Sequence, residues 1–443
     1  MAIMERNADM KTYNDEIDMM QLLSRIAPLN RTLASADTDK ALAEISRYLP
    51  GSEIEGFACG TKAWSWTIPK RWELDSAFVR CNGEIIVDAG RNSLHVVNYS
   101  QPFKGTIGRE ELLSHLHTDP NRPDSIPFRF AFYHDEWGFC VPHSWLGRFT
   151  SNHYDVEINS RFESGVLNTL SYFLPGEAQE TFIICANICH PLQVNDSLTG
   201  VAAAVDIMKR LAARTNRKYS YLLLVVPEMI GSIAFLANNP AIIERSIGGV
   251  FSEMLGTDGP LVGQHTRSGG SYWDGILDSV LHSSGLAYKT VPFLKSASND
   301  EKVLDSPGVD IPTISLTRAP YPEYHSSDDN LSIISVDRLR EGRDALQQII
   351  DWAEVDFIPA LNQPGPIFLS GHGLYPDWRS DPALLPFWES FIDVMYSIDN
   401  KRSFVELATA RKIPLSHFHD WISAFKGKGL LTSKPHRLTR SRT

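Results

Sequence analysis

Cysteine is scarce in this chain of 443 residues: five occur, at Cys59, Cys81, Cys140, Cys185 and Cys189, an odd number without paired spacing. That pattern argues against a disulfide framework and for reduced, mostly buried thiols. Long apolar runs are missing as well. No segment approaches the roughly 20 uninterrupted apolar residues that span a bilayer, so no membrane role is expected. The first residues carry Glu5, Asp9, Asp15, Glu16 and Asp18 where a secretory signal would have a basic start and an apolar middle. A cytoplasmic location is the resulting expectation. Internal repeats and low-complexity tracts are also lacking, which sets aside solenoid and disordered architectures.

What is present is the composition of a soluble globular protein, 43% hydrophobic and 21% charged, in a chain long enough for two or three domains. The net charge of −11 hides an asymmetry: residues 401–443 carry a balance of +8 and the remainder −19. The tail is therefore a separate electrostatic unit.

Helical spacing of Met19, Leu22, Leu23 and Ile26, then of Leu42, Ile45 and Leu49, gives way after Gly60 to short aromatic or β-branched runs. Trp64 to Pro69, Ser76 to Arg80, Glu84 to Asp88, Leu94 to Tyr99, Phe128 to Phe132 and Gly138 to Val141 read as strands of a β-rich module. From Val166 onward strands alternate with helices, which implies a mainly parallel sheet covered on both faces. The last helix of that unit is Val336 to Val355. Pro359, Pro364 and Pro366 with Gly365, Gly371 and Gly373 read as a linker. Three helical candidates and a terminal strand then outline a winged helix. The expected fold is α/β, a mixed but mainly parallel sheet with helices on both faces, spanning residues 1–60 and 156–358. A small β-rich domain at 61–155 interrupts it, and a winged-helix domain occupies 376–443.

The stretch from Cys189 to Gly200 carries the first chemistry. An apolar run, Thr181 to Ala186, reads as a buried strand that delivers His190 and Asp196 into a loop, which a helix starting near Gly200 closes. Strand carboxyl ends are where open α/β sheets bind ligands, and imidazole with carboxylate suits zinc or a similar divalent ion. Cys189 is assigned to packing, because adjacent strand residues point to opposite faces and only one of the two can enter the site. Further candidates follow other strands: Glu228, Glu253, the Asp300-Glu301 pair in a polar loop, and His325 beyond Arg318. Each alone means little, but an unbalanced cluster of carboxylates is costly without a cation. Arg318 could hold a substrate carboxylate or form a structural salt bridge, with similar weight. Tyr321 and Tyr324 could wall the pocket or pack in the core. Asp328 could orient His325 or cap the segment after it. His95, His115, His143 and His265 are read as structural.

His190 with Asn195-Asp196, Glu228-Met229-Ile230-Gly231-Ser232, Glu253-Met254-Leu255-Gly256 and Tyr324-His325-Ser326-Ser327-Asp328 resemble the successive metal motifs of zinc exopeptidases of the bacterial leucyl-aminopeptidase and glutamate-carboxypeptidase type. More closely, the whole chain resembles an uncharacterised bacterial aminopeptidase-like family that joins such a domain to an inserted β-rich module and a carboxyl-terminal winged helix. Gly60-Thr61-Lys62, Asn92 to Val97, Trp137 to Cys140, Asn299-Asp300-Glu301 and Pro322 to His325 carry the closer match. The resemblance implies His190 and His325 as terminal ligands of one or two zinc ions, with manganese or cobalt as acceptable substitutes. Asp196 would be the bridging carboxylate and Glu253 a further ligand. Those exopeptidases have two consecutive acidic residues where this chain has Pro227-Glu228. Glu228 is then either the general base or a ligand, with Asp300 or Glu301 as base in the second case; the first is preferred. Arg318, Tyr324, Asp300 and Glu301 are the expected substrate contacts. The implied activity is metal-dependent hydrolysis of an amide in a small aminoacyl or peptide-like substrate. The alternatives are a degenerate small-molecule sensor and a zinc-dependent cyclase or deacylase. A homo-oligomer is expected, and nucleic-acid binding through the basic winged helix is not favoured.

Overall fold

The computed structural model describes residues 18–440 apart from 297, 376, 378 and 381–384. The start of the expected 376–443 unit thus lies partly outside the described residues. Eight strands build the main sheet: β1 (Glu53–Ala58), β2 (Val166–Leu174), β3 (Thr181–Asn187), β4 (Ser220–Val226), β5 (Ser246–Ser252), β6 (Leu261–Gln264), β7 (Tyr288–Val291) and β8 (Thr313–Thr317). Their spatial order is β1-β2-β4-β3-β5-β8-β6-β7. The four central strands, β4, β3, β5 and β8, run parallel, whereas β1, β2 and β6 pair antiparallel to their neighbours nearer the centre. The sheet is the mixed, mainly parallel one that the strand–helix alternation implies.

Burial of both faces explains why β3, β4 and β5 are buried throughout their lengths and mostly apolar, with polar residues at their ends. Alternate residues divide between two cores. Phe182, Ile184 and Ala186 join the core under helices Met19–Ile26, Ala36–Tyr48, Leu198–Ala212, Tyr272–Ser283 and Val336–Val355. Ile183 and Cys185 face the other core, which they share with Val79, Val156 and Ile158 of the β-rich region. That region therefore packs directly on the main sheet. Its own sheet contains Arg71–Cys81, Glu84–Asp88, Phe103–Gly108 and His153–Glu163. The last of these, unforeseen in the sequence, runs through position 155, where the expected module ended. Phe128 to Phe132, expected as a strand, instead forms an extended loop with isolated bridges, Asn98 to Phe130 and Pro127 to Ser326.

The expected linker is also partly ordered structure. Phe357–Leu361 pairs antiparallel with Leu431–Pro435, with helices Leu385–Ser397, Phe404–Ala410 and Leu415–Gly427 between them in sequence. Phe404, Leu407, Phe418 and Phe425 belong to the same core as Trp273 and Ile276 of the main unit. The carboxylate of Asp356, buried, accepts from the Tyr272 hydroxyl and the Val405 N–H and pairs with His436. Distinct in charge, the tail is continuous with the rest in packing. Among the described residues no helix is long and apolar enough to cross a membrane.

Candidate metal centre

The carboxyl ends of the four parallel strands all face one edge of the sheet, and each delivers a candidate ligand or base there. Beyond β3 the chain continues through His190 to Asp196 and then enters helix Leu198–Ala212. Gly200 lets that helix start against β5, since a Cβ there would stand 1.9 Å from the Ser252 carbonyl oxygen. Glu228 follows β4 and Glu253 follows β5. His325 follows β8, in a turn where it adopts a left-handed φ of +53°.

Asp196 lies between the two histidines. Its Oδ1 is 3.7 Å from His190 Nδ1 and its Oδ2 3.1 Å from His325 Nε2. Ligand atoms of His190, Asp196 and His325 all lie within 4.8 Å of one another. His190 Nδ1, Asp196 Oδ2 and His325 Nε2 are buried and lack a hydrogen-bond partner. Apart from the close approach of Asp196 Oδ2 and His325 Nε2 these buried polar atoms have nothing to satisfy them, which would be costly in a purely structural cluster, and a divalent cation is a group that could satisfy them together. Two imidazoles and a carboxylate suit zinc. Burial lowers the His190 pKa to about 4, so its ring is neutral and free to ligate. Burial pushes the Asp196 carboxyl upward, but its interactions with His190, His325 and Arg31 outweigh that and hold it below its ordinary value.

Glu228 Oε2 stands 3.5 Å from His190 Nε2, with 29% of its side chain exposed. Burial first, and then the charge of Asp196, raises its pKa to about 7. The turn that presents it is braced by Asp300, whose Oδ1 accepts from the Met229 N–H at 2.9 Å and from the Ser232 hydroxyl. Met229 has φ +58° and needs such bracing. Cys189 also belongs here: its Sγ accepts the Glu228 N–H at 3.2 Å and lies within 4.8 Å of His190 and Glu228 ligand atoms. Alternation does not separate Cys189 from His190, because the strand has already ended at Asn187.

Several expected contacts fall elsewhere. Glu253 is fully buried but belongs to neither group of mutually close ligand atoms, and both its oxygens accept from Asn299 Nδ2, at 2.9 and 2.8 Å. Glu301 is likewise fully buried, accepting from the Asn299 N–H and from Gln264 Nε2. Asp300 and Glu301 are thus both engaged by neighbouring protein donors. Arg318 is buried, its guanidinium taken by the Gly259 carbonyl and by Glu341 Oε2 at 2.6 Å. The salt-bridge reading of Arg318 holds over the substrate reading. Tyr324 is 47% exposed and stacks on the His325 ring, centroids 3.8 Å apart. Tyr321 is buried, and Asp328 pairs with Arg122 and Ser125 instead of orienting His325.

Other residues escaped sequence reasoning. Asp329 accepts the backbone N–H groups of Val194, Asn195 and Asp196 at 3.2, 2.7 and 3.0 Å, and the Tyr321 hydroxyl at 2.6 Å. Arg31, fully buried, donates to the carbonyls of Gln193 and Ile188 and fixes the same loop from the amino-terminal side. The Phe128 ring stands edge-on to both histidines, 5.5 Å from His190 and 5.3 Å from His325. The only signal for Asp329 was an acidic pair, and Phe128 sat in a run that looked like a strand.

Comparison with known proteins identifies the fold and the family. The crystal structure of a provisionally named peptidase from Clostridium acetobutylicum superposes with a TM-score of 0.84 at 29% identity, over 94% of this chain and 96% of that one. A zinc aminopeptidase from Bacillus subtilis matches with a TM-score of 0.57 at 13% identity, over 75% of this chain and 94% of its own. The fold is therefore that of zinc aminopeptidases. A curated Clostridium acetobutylicum protein, provisionally named as a polysaccharide biosynthesis protein with an aminopeptidase-like domain, is 33% identical over 403 residues, 88% of this chain and 90% of its own length. Residues 20–356 match the model of a family described as a domain of unknown function, DUF4910, and the chain belongs to that aminopeptidase-like family.

Proposed function

We propose that the protein is a metal-dependent hydrolase of the aminopeptidase type, cleaving an amide bond in a small aminoacyl or peptide-like substrate. The observation that carries this reading is the convergence of His190, Asp196 and His325, with buried donor atoms that have no other partner. A divalent ion held by these three residues would polarise the scissile carbonyl and lower the pKa of water toward neutrality. Glu228, near neutrality itself and partly open to solvent, accepts the proton of the attacking water and returns it to the leaving nitrogen. Asp300 keeps Glu228 in position through the Met229 amide. Tyr324 forms an exposed wall against which the substrate lies. The names of the aminopeptidase-like relative and of the zinc aminopeptidase support the same chemistry.

Metal analysis of protein purified without chelator, together with turnover of aminoacyl-arylamides, tests the proposal. Stoichiometric zinc, manganese or cobalt is expected, with turnover that falls by at least about 100-fold in Glu228→Gln while the metal is retained. Absence of bound metal would sink the reading. Retention of Glu253 by Asn299, away from the other ligand atoms, favours a second reading: a sensor that binds a small molecule without cleaving it. Metal and tight ligand binding with no turnover would establish that one.

A further inference from the structure

His325 reaches the centre from a backbone conformation that a non-glycine residue adopts only when its surroundings impose it. The imposing groups lie in the β-rich region, in residues 122–128. Phe128 donates its N–H to the His325 carbonyl at 2.8 Å, and Ser327 donates its own to the Ile126 carbonyl at 2.9 Å. Ile126 returns an N–H to the Ser327 hydroxyl at 3.0 Å, and Pro127 and Ser326 form an antiparallel bridge. On the near side of His325, Arg122 donates to the Pro322 carbonyl at 2.8 Å. On the far side Arg122 pairs with Asp328, whose carboxylate also accepts the Ser125 hydroxyl. The His325 turn is thus held at both flanks and at its own carbonyl by one short loop segment of the β-rich region. The same segment lays the Phe128 ring against both imidazoles.

We propose that Arg122 and Phe128 are positioning residues of the metal centre: residues 122–128 aim His325 Nε2 at the point facing Asp196, so metal affinity is set partly from outside the main sheet. The inference rests on the reading of His190, Asp196 and His325 as ligands. Released from Arg122, the turn can leave its strained conformation, and the imidazole must then be reordered each time a metal binds. Partners of this kind, acting behind a ligand, typically contribute 10- to 100-fold in metal affinity.

Cobalt(II) titration of the chelator-stripped full chain provides the test, read by visible absorption and by competition with a chromogenic chelator. Arg122→Ala is expected to weaken cobalt binding by about 10- to 100-fold and to alter the visible band, with partial recovery in Arg122→Lys. Phe128→Leu keeps the backbone bond and removes the ring, and is expected to weaken binding less. Melting of the metal-free variants serves as the folding control. Should Arg122→Ala fail to fold, Asp328→Asn and Phe128→Leu carry the comparison. Wild-type affinity and spectrum in the variants would overturn the inference. Failure of the wild-type protein to bind cobalt at all would overturn the ligand assignment beneath it, and the inference with it.

Discussion

At the scale of single residues, the site is organised by carboxylates spent on backbone N–H and hydroxyl donors. Asp329 gathers three consecutive backbone N–H groups around Asp196 and the Tyr321 hydroxyl, using both its oxygens. Asp329→Ala would leave those buried donors unsatisfied, at about 1–3 kcal/mol each before the loop relaxes. A lower melting temperature and a 10- to 100-fold loss of metal affinity are expected, measurable by calorimetry and chelator competition. Asp329→Asn should show a milder form of both, since its amide keeps one acceptor oxygen but turns a donor toward the N–H cluster. Wild-type metal affinity in both variants would remove Asp329 from the centre. The ligand candidates themselves were legible in the sequence because each follows an apolar run of strand length: His190 and Asp196 after β3, Glu228 after β4, His325 after β8. Asp328 and Asp329 were not separable, because adjacent carboxylates in a turn differ only in which way the backbone aims them. The partners of Glu253 and Arg318 were hidden for a related reason: Asn299 and Glu341, which engage them, are distant in sequence.

At the scale of elements, the apolar runs and helical periodicities carried most of the fold. The strand β3 and the helix Val336–Val355 lie where the pattern puts them, and the alternation of strands with helices from Val166 onward holds, because both sheet faces are covered and so each central strand is mostly apolar. Where the rule failed, the element had ended or had never formed. Cys189 lies past the end of β3, so strand alternation no longer governs it. Phe128 to Phe132 has a strand's composition, but its aromatic rings pack on Tyr99 and on the histidines while its backbone bonds to the His325 turn. Gly200 shows what joins the elements around the site. It is the point of closest approach between helix Leu198–Ala212 and the end of β5, and a methyl group there would overlap the Ser252 carbonyl. Gly200→Ala should force the helix away and cost about 1–3 kcal/mol or more. Because Asp196 lies two residues before the helix and Glu253 follows Ser252, the same change should weaken metal binding. Urea unfolding and a metal titration of this variant measure the two effects, and an unchanged midpoint would refute the close approach.

At the scale of the whole molecule, the centre is a concentration of buried acid within a chain of net charge −11. Burial raises Glu228 from an ordinary 4.5 to about 7, Asp300 from 3.8 to about 8 and Asp329 from 3.8 to about 6. Glu253 is pushed well above its usual range by burial and by the charges of Asp196 and Glu228. An acid whose folded pKa is raised binds more protons folded than unfolded across the interval between the two values. Its stabilising contribution is fully present below about pH 4 and is lost as pH rises through about 6 to 8. Metal-free protein should therefore melt at progressively lower temperature from pH 5 to pH 8. A divalent cation among the same carboxylates offsets their mutual repulsion, and it stabilises the folded state by about 2.7 kcal/mol when present at 100 times its dissociation constant. Zinc should consequently raise the first melting transition more at pH 8 than at pH 5, flattening the pH dependence seen without it. Scanning calorimetry at both pH values, with and without zinc, measures this. A metal-free transition that stays level or rises with pH, or a zinc shift that is no greater at pH 8, would contradict an acid-rich centre that a cation completes.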